Sequence, residues 1–104
     1  MDFNKYQEQA RTFRAASASS QYTLLGLAEE SGEVLGKVAK HIRDGGDLGH
    51  LKQTLLKELG DVLWMMSAVA DDYGIELGAI AEHNIIKLTD RKARNVVHGS
   101  GDNR

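Results

Sequence analysis

No proline occurs anywhere in this chain of 104 residues, and between its glycine and serine breaks the apolar residues return every three or four positions. That spacing puts them along one side of a helix, and without proline nothing forces a helix to end early. Few, long helices are expected, not a sheet protein with many tight turns. A chain of this length reads as one domain, residues 1–104, and it buries only about two-thirds of its unfolded surface. Its core is thin, and an all-α assembly of amphipathic helices is the architecture that fits.

Four helices can be placed. The first, Phe3 to Ala15, carries Phe3, Tyr6, Ala10 and Phe13 on one side, and the stretch from Ser17 to Ser20 interrupts it, with Ser19 or Ser20 placed to cap the next. The second, Gln21 to Arg43, has Leu24, Leu27, Val34, Val38 and Ile42 in a stripe and stops at Asp44-Gly45-Gly46-Asp47. The third, Leu48 to Tyr73, aligns Leu51, Leu55, Leu59, Val62, Met66 and Val69, and Gly74 closes it. The fourth, Ile75 to Arg94, is expected to bury Leu77, Ile80, Ala81, Ile85 and Leu88. Residues 95–104 form a glycine-containing tail, a candidate for mobility. Short connections between long helices imply antiparallel neighbours in a four-helix bundle, and a core this thin leaves stripes for a second copy to cover.

The acidic residues are not scattered. Helix two contains Glu29-Glu30-x-x-Glu33 and helix three contains Glu58-x-x-Asp61, so each helix shows an acidic pair on one face. Glu33 and Glu58 each lie about ten residues from the glycine turn, or ~15 Å of helix, and Glu30 and Asp61 lie ~20 Å from it. In an antiparallel hairpin the two pairs come level and border the seam. A lone Glu-x-x-Glu is normally a solvated face. Here Glu30 has Gly26 and Val34 as its four-residue neighbours and Glu58 has Thr54 and Val62, so neither has the lysine that supports a surface glutamate. Carboxylates gathered in this way repel, and an all-oxygen set suits a hard cation such as magnesium held together with substrate phosphates.

Other metal chemistry fits poorly. Di-iron bundles need Glu-x-x-His, but the residues three before His41, His50, His83 and His98 are Val38, Asp47, Ile80 and Asn95. There is no His-Glu-x-x-His, no calcium-binding loop of alternating oxygen ligands, no phosphate-cradling glycine loop, and no cysteine for a thiolate site or disulfide. A net charge of −2 provides no general attraction for nucleic acid. The polar N-terminus and the lack of any run near the ~20 apolar residues of a membrane span make a cytoplasmic protein with no membrane partner the expectation.

Gly26-Leu27-Ala28-Glu29-Glu30-Ser31-Gly32-Glu33-Val34, then Lys57-Glu58-Leu59-Gly60-Asp61-Val62-Leu63-Trp64, then Asn84-x-x-Lys87-Leu88-x-x-Arg91, together resemble the MazG-like nucleotide pyrophosphohydrolases of the all-α NTP pyrophosphatase superfamily. The resemblance covers most of the chain. It implies a MazG-type fold in a dimer or tetramer, and magnesium, with manganese as a substitute, held by Glu30, Glu33, Glu58 and Asp61. It also implies hydrolysis of a nucleoside triphosphate to monophosphate and pyrophosphate, in clearance of non-standard or excess nucleotides. Glu29 is the candidate for orienting or deprotonating the attacking water, a supporting or purely structural place being the alternative. Asn84, Lys87 and Arg91 share one line of helix four, a solvated basic face on residue type alone; the resemblance assigns them to the substrate's phosphates. The tail also resembles the ending of short phage- and cassette-type relatives and could close over the nucleotide.

Related enzymes that act on phosphoribosyl-ATP, dUTP or dCTP share the acidic logic, and a non-catalytic nucleotide-sensing module would keep the same fold. Base and sugar preference cannot be read from these residues. Trp64, Tyr6 and Phe13 could meet a base, but at helical spacing large aromatics are assigned to packing. His41, His83 and His98 are assigned to the surface.

Overall fold

The computed structural model describes residues 1–104 and contains four α-helices and no strand. They are α1 (Phe3–Arg11), α2 (Ser20–Asp44), α3 (Leu48–Asp72) and α4 (Leu77–Ala93). The expected all-α, four-helix architecture is present. Three of the four starts have a side-chain cap. The carboxylates of Asp2 and Asp47 accept from the backbone N–H of Lys5 and His50, and the Ser19 hydroxyl accepts from that of Tyr22, so Ser19 rather than Ser20 is the cap.

α1 stops at Arg11, a turn before the apolar spacing runs out. The Thr12 hydroxyl donates to the Gln9 carbonyl at 2.7 Å, and the N–H groups of Phe13 and Arg14 bond to carbonyls three residues back, so the segment tightens into turns. At the other break Gly45 and Gly46 have φ of 71° and 127°, a region that a side chain would strain, and they reverse the chain between α2 and α3.

α2 and α3 make the main packing of the molecule. Counting outward from the glycine turn, Lys37 comes level with Thr54, Glu33 with Glu58, Glu30 with Asp61, and Gly26 with Met65. That last pair pins the register. Gly26 is buried, and a Cβ built on it would meet Met65 Sδ at 2.7 Å, so the helices approach closely there because α2 has no side chain at that point. Glu30 and Asp61 are each one turn from this contact, on the side of the glycine turn.

α1 lies against α3 and the start of α4. Gln7, only 4% exposed, holds this corner: its amide nitrogen donates to Asp71 and to the Ile75 carbonyl, and its amide oxygen accepts from Leu77 N–H. The buried apolar residues are Ala10, Met65, Ala70 and Leu77. α4 has no comparable packing on α2 or α3, and of the stripe expected to be buried there only Leu77 is; Ile85 is 62% exposed, and Ile80 and Leu88 are also open. The rest of the chain covers them only in part. The radius of gyration, 16.5 Å, exceeds the ~13 Å of a compact chain of this length, as an arm standing off a hairpin requires. No helix is long and apolar enough to cross a membrane.

Candidate metal centre

The hairpin register brings three of the four expected ligands together. One carboxylate oxygen from each of Glu30, Glu58 and Asp61 lies within 4.8 Å of the others. Glu30 and Glu58 are half-buried along the seam, and Asp61 opens to solvent. Glu33, level with Glu58, is exposed and lies outside this trio, as does Glu29. The line on α2 that faces α3 runs through Glu30, Val34, Lys37 and His41, and Glu33 sits at its rim.

The centre is electrostatically unsatisfied. Partial burial raises the proton affinity of Glu30, and the charges of Asp61, Glu29, Glu33 and Glu58 raise it further. Tyr6 is also raised, first by burial and then by Asp61. Among the ion pairs of the chain, only Lys37 reaches the trio, its Nζ lying 3.7 Å from Glu58 Oε1. Sequence reasoning passed over Lys37. Its signal was its place four residues after Glu33, on the line that faces the seam.

Beside Asp61 opens a cavity of about 570 Å³ whose walls include Tyr6, Gln9, Phe13 and Trp64. The Trp64 indole N–H donates to the Ala10 carbonyl at 3.3 Å, which fixes the ring against α1. Phe13, expected to pack in the core, is 75% exposed because α1 has already ended and the turn carries the ring outward. His41, expected at the surface, is half-buried beside Gly46.

Asn84, Lys87 and Arg91 do not join the acids within one chain. Lys87 Nζ pairs with Asp102 Oδ1 at 2.8 Å, and the guanidinium of Arg91, a buried residue, donates to the same oxygen at 3.1 Å and to the Asp102 carbonyl. Asn84 is exposed. The tail that supplies Asp102 is folded onto the end of α4, with Arg104 donating to the carbonyls of Val96 and Val97 at 2.9 and 2.7 Å. Nothing local in the sequence marks Asp102 as the partner of these two cations.

Three converging carboxylates with a single lysine at their edge form an all-oxygen donor set that suits a hard divalent cation and offers nothing to a soft one. The model of the MazG nucleotide pyrophosphohydrolase domain matches residues 18–96, which include both acidic pairs. The Gene 37 protein of Mycobacterium phage L5 is 40% identical over 85 residues, covering 80% of this chain and 75% of that protein. No solved structure matches. With the domain model spanning all of α2, α3 and α4, the chain belongs to the MazG nucleotide pyrophosphohydrolase family.

Proposed function

We propose that this protein hydrolyses nucleoside triphosphates, deoxynucleotides among them, to the monophosphate and pyrophosphate, in the clearance of non-standard or excess nucleotides in the cytoplasm. The observation that carries the proposal is the convergence of Glu30, Glu58 and Asp61 across the hairpin of a MazG-family chain. These three, with Glu33 turning in from the rim, would hold magnesium, or manganese in its place. Such an ion, when bound, supplies positive charge to the phosphates and makes nearby water more acidic.

The rest falls to the chain's own groups. Glu29, exposed and next to Glu30, is free to take the proton of the attacking water. The open cavity beside Asp61 receives the base against Phe13, Tyr6 and Trp64, with the α-phosphate directed toward the acids. Asn84, Lys87 and Arg91 remain candidates for phosphate contact. Because α4 stands off the hairpin with its apolar side open, a second copy is the source that supports this role, in a dimer or tetramer.

The test is a product assay on the purified chain with magnesium and each natural and modified triphosphate, separating pyrophosphate from orthophosphate. Monophosphate with pyrophosphate is expected. Release of orthophosphate, or no release from any triphosphate by folded protein with magnesium bound, overturns the proposal.

A further inference from the structure

The seam of the hairpin does not end at the acids. On the side of the trio away from the aromatic cavity, towards the glycine turn, lies a second cavity of about 280 Å³ whose walls carry Lys37, Lys40, His41, His50 and Thr54. Lys37 lies one turn and His41 two turns beyond Glu33, and Thr54 one turn and His50 two turns beyond Glu58, so the cavity continues the groove that holds the trio. Two acids also line it, but both are engaged elsewhere. Asp44 accepts two bonds from Arg43, at 2.6 and 2.7 Å, and Asp47 caps α3 by accepting from His50 N–H at 2.9 Å. Lys40 is exposed and makes no ion pair; the Asp44 carboxyl is held below the usual range chiefly by its bonds from Arg43 and only then by the Lys40 charge. Lys37 touches the trio itself, through Glu58 at 3.7 Å.

The groove therefore has a direction: an aromatic cavity at Asp61, acids in the middle, and cations next to the turn. The geometry points to a binding site for the terminal diphosphate of the nucleotide in the cavity lined by Lys37 and Lys40, with Lys37 exchanging Glu58 for a phosphate oxygen. This rests on the hydrolysis proposed above and adds the polarity of the substrate: base toward Trp64, terminal phosphate toward the glycine turn. A lysine at this point serves both states. With the site free it offsets part of the charge on Glu58; with nucleotide bound it meets the group that departs as pyrophosphate, where negative charge grows as the bond breaks.

The test uses the full chain with magnesium and inorganic pyrophosphate, followed by calorimetry, so that it is read without turnover. Lys37→Gln and Lys40→Gln are each expected to weaken pyrophosphate binding about tenfold, by loss of a charge-assisted contact. Monophosphate binding should not change, and Lys52→Gln, a surface change on α3 outside the cavity, should leave both as they were. In steady state the two cavity variants should raise KM for triphosphates by a similar factor, which separates a substrate site from one that only takes free pyrophosphate. Circular dichroism confirms that the variants are folded, and Lys37→Arg should restore binding. Pyrophosphate binding that is absent from the native chain, unchanged in Lys37→Gln, or weakened equally with that of monophosphate overturns the inference, as does an unchanged KM. If the native chain binds pyrophosphate through Lys37 yet cleaves no triphosphate, the site stands and the hydrolysis falls.

Discussion

Helix α3 carries two acidic pairs, and the fold treats them in opposite ways. At its C-terminal end, where the helix dipole disfavours negative charge, Asp71 receives both Arg11 contacts, at 2.7 and 3.2 Å, and the Gln7 amide at 2.9 Å. Asp72 receives Arg14 at 2.7 Å and the buried Thr23 hydroxyl at 2.6 Å. In mid-helix, Glu58 and Asp61 face another acid, Glu30, and one lysine at 3.7 Å. Carboxylates that hold a structure together bring their own donors. Those that helix register gathers with a single lysine among them have charge left to offset, and on the proposed function an incoming cation supplies it.

The hardest test of this contrast is activity. Asp61→Asn, Glu58→Gln or Glu33→Gln should each lower kcat/KM at least ~10³-fold, worth ~4 kcal/mol of transition-state stabilisation. Helix content by circular dichroism should not change, because each swap keeps volume and removes charge from a repelling cluster. Full activity in the Asp61 variant would remove that residue from the centre.

At the compensated end the expected loss is in stability. Gln7→Ala should cost about 3 kcal/mol in urea unfolding, since it strands the buried Leu77 N–H and removes two donor bonds. At low temperature the variant should still respond to magnesium. A loss of magnesium response in the folded variant would show that the two ends of α3 are not independent.

The unsatisfied end should show its need directly. Magnesium at a hundred times its dissociation constant should stabilise the native chain by about 2.7 kcal/mol, read as a rise in Tm. Asp61→Asn should lose most of that rise, while Gln7→Ala keeps it. Equal stabilisation of both variants would place the ion elsewhere.

How much of this could be read beforehand follows the same division. The four helices and the level pairing of the acids were legible, because apolar periodicity, glycine breaks and distance from a turn are local properties. Ligand geometry was legible only in part: Glu33 has the right spacing, but one position around the helix puts it at the rim. The Gln7 network was not legible, since its partners lie more than sixty residues away, and a glutamine on a helix gives no sign of being buried. Nor was the engagement of Lys87 and Arg91 by Asp102, which depends on how the tail turns at Asn95, with φ of 57°. The α4 stripe was legible as apolar, but its burial was not, because periodicity shows which face wants a neighbour and not whether the same chain supplies one.

The smallest expected effect is the most direct measure of the contrast, because the two ends should respond to pH with opposite sign. Asp72 is held low by Arg14 and Thr23, so its contribution is present above the ordinary aspartate range and is lost as pH falls through its depressed value. Glu30 is raised by burial and by its acidic neighbours, so its contribution is complete below the ordinary glutamate value of 4.5 and is lost as pH rises through its elevated one. Glu30→Gln should therefore match the native chain in acid without metal and exceed it near neutrality by a few tenths of a kcal/mol, the scale of one like-charge contact. Saturating magnesium should reverse the order, because only the native chain gains from it. A Glu30→Gln chain less stable than the native one at neutral pH without metal would mean that the seam already satisfies this carboxylate, and the distinction between the two ends of α3 would fail there.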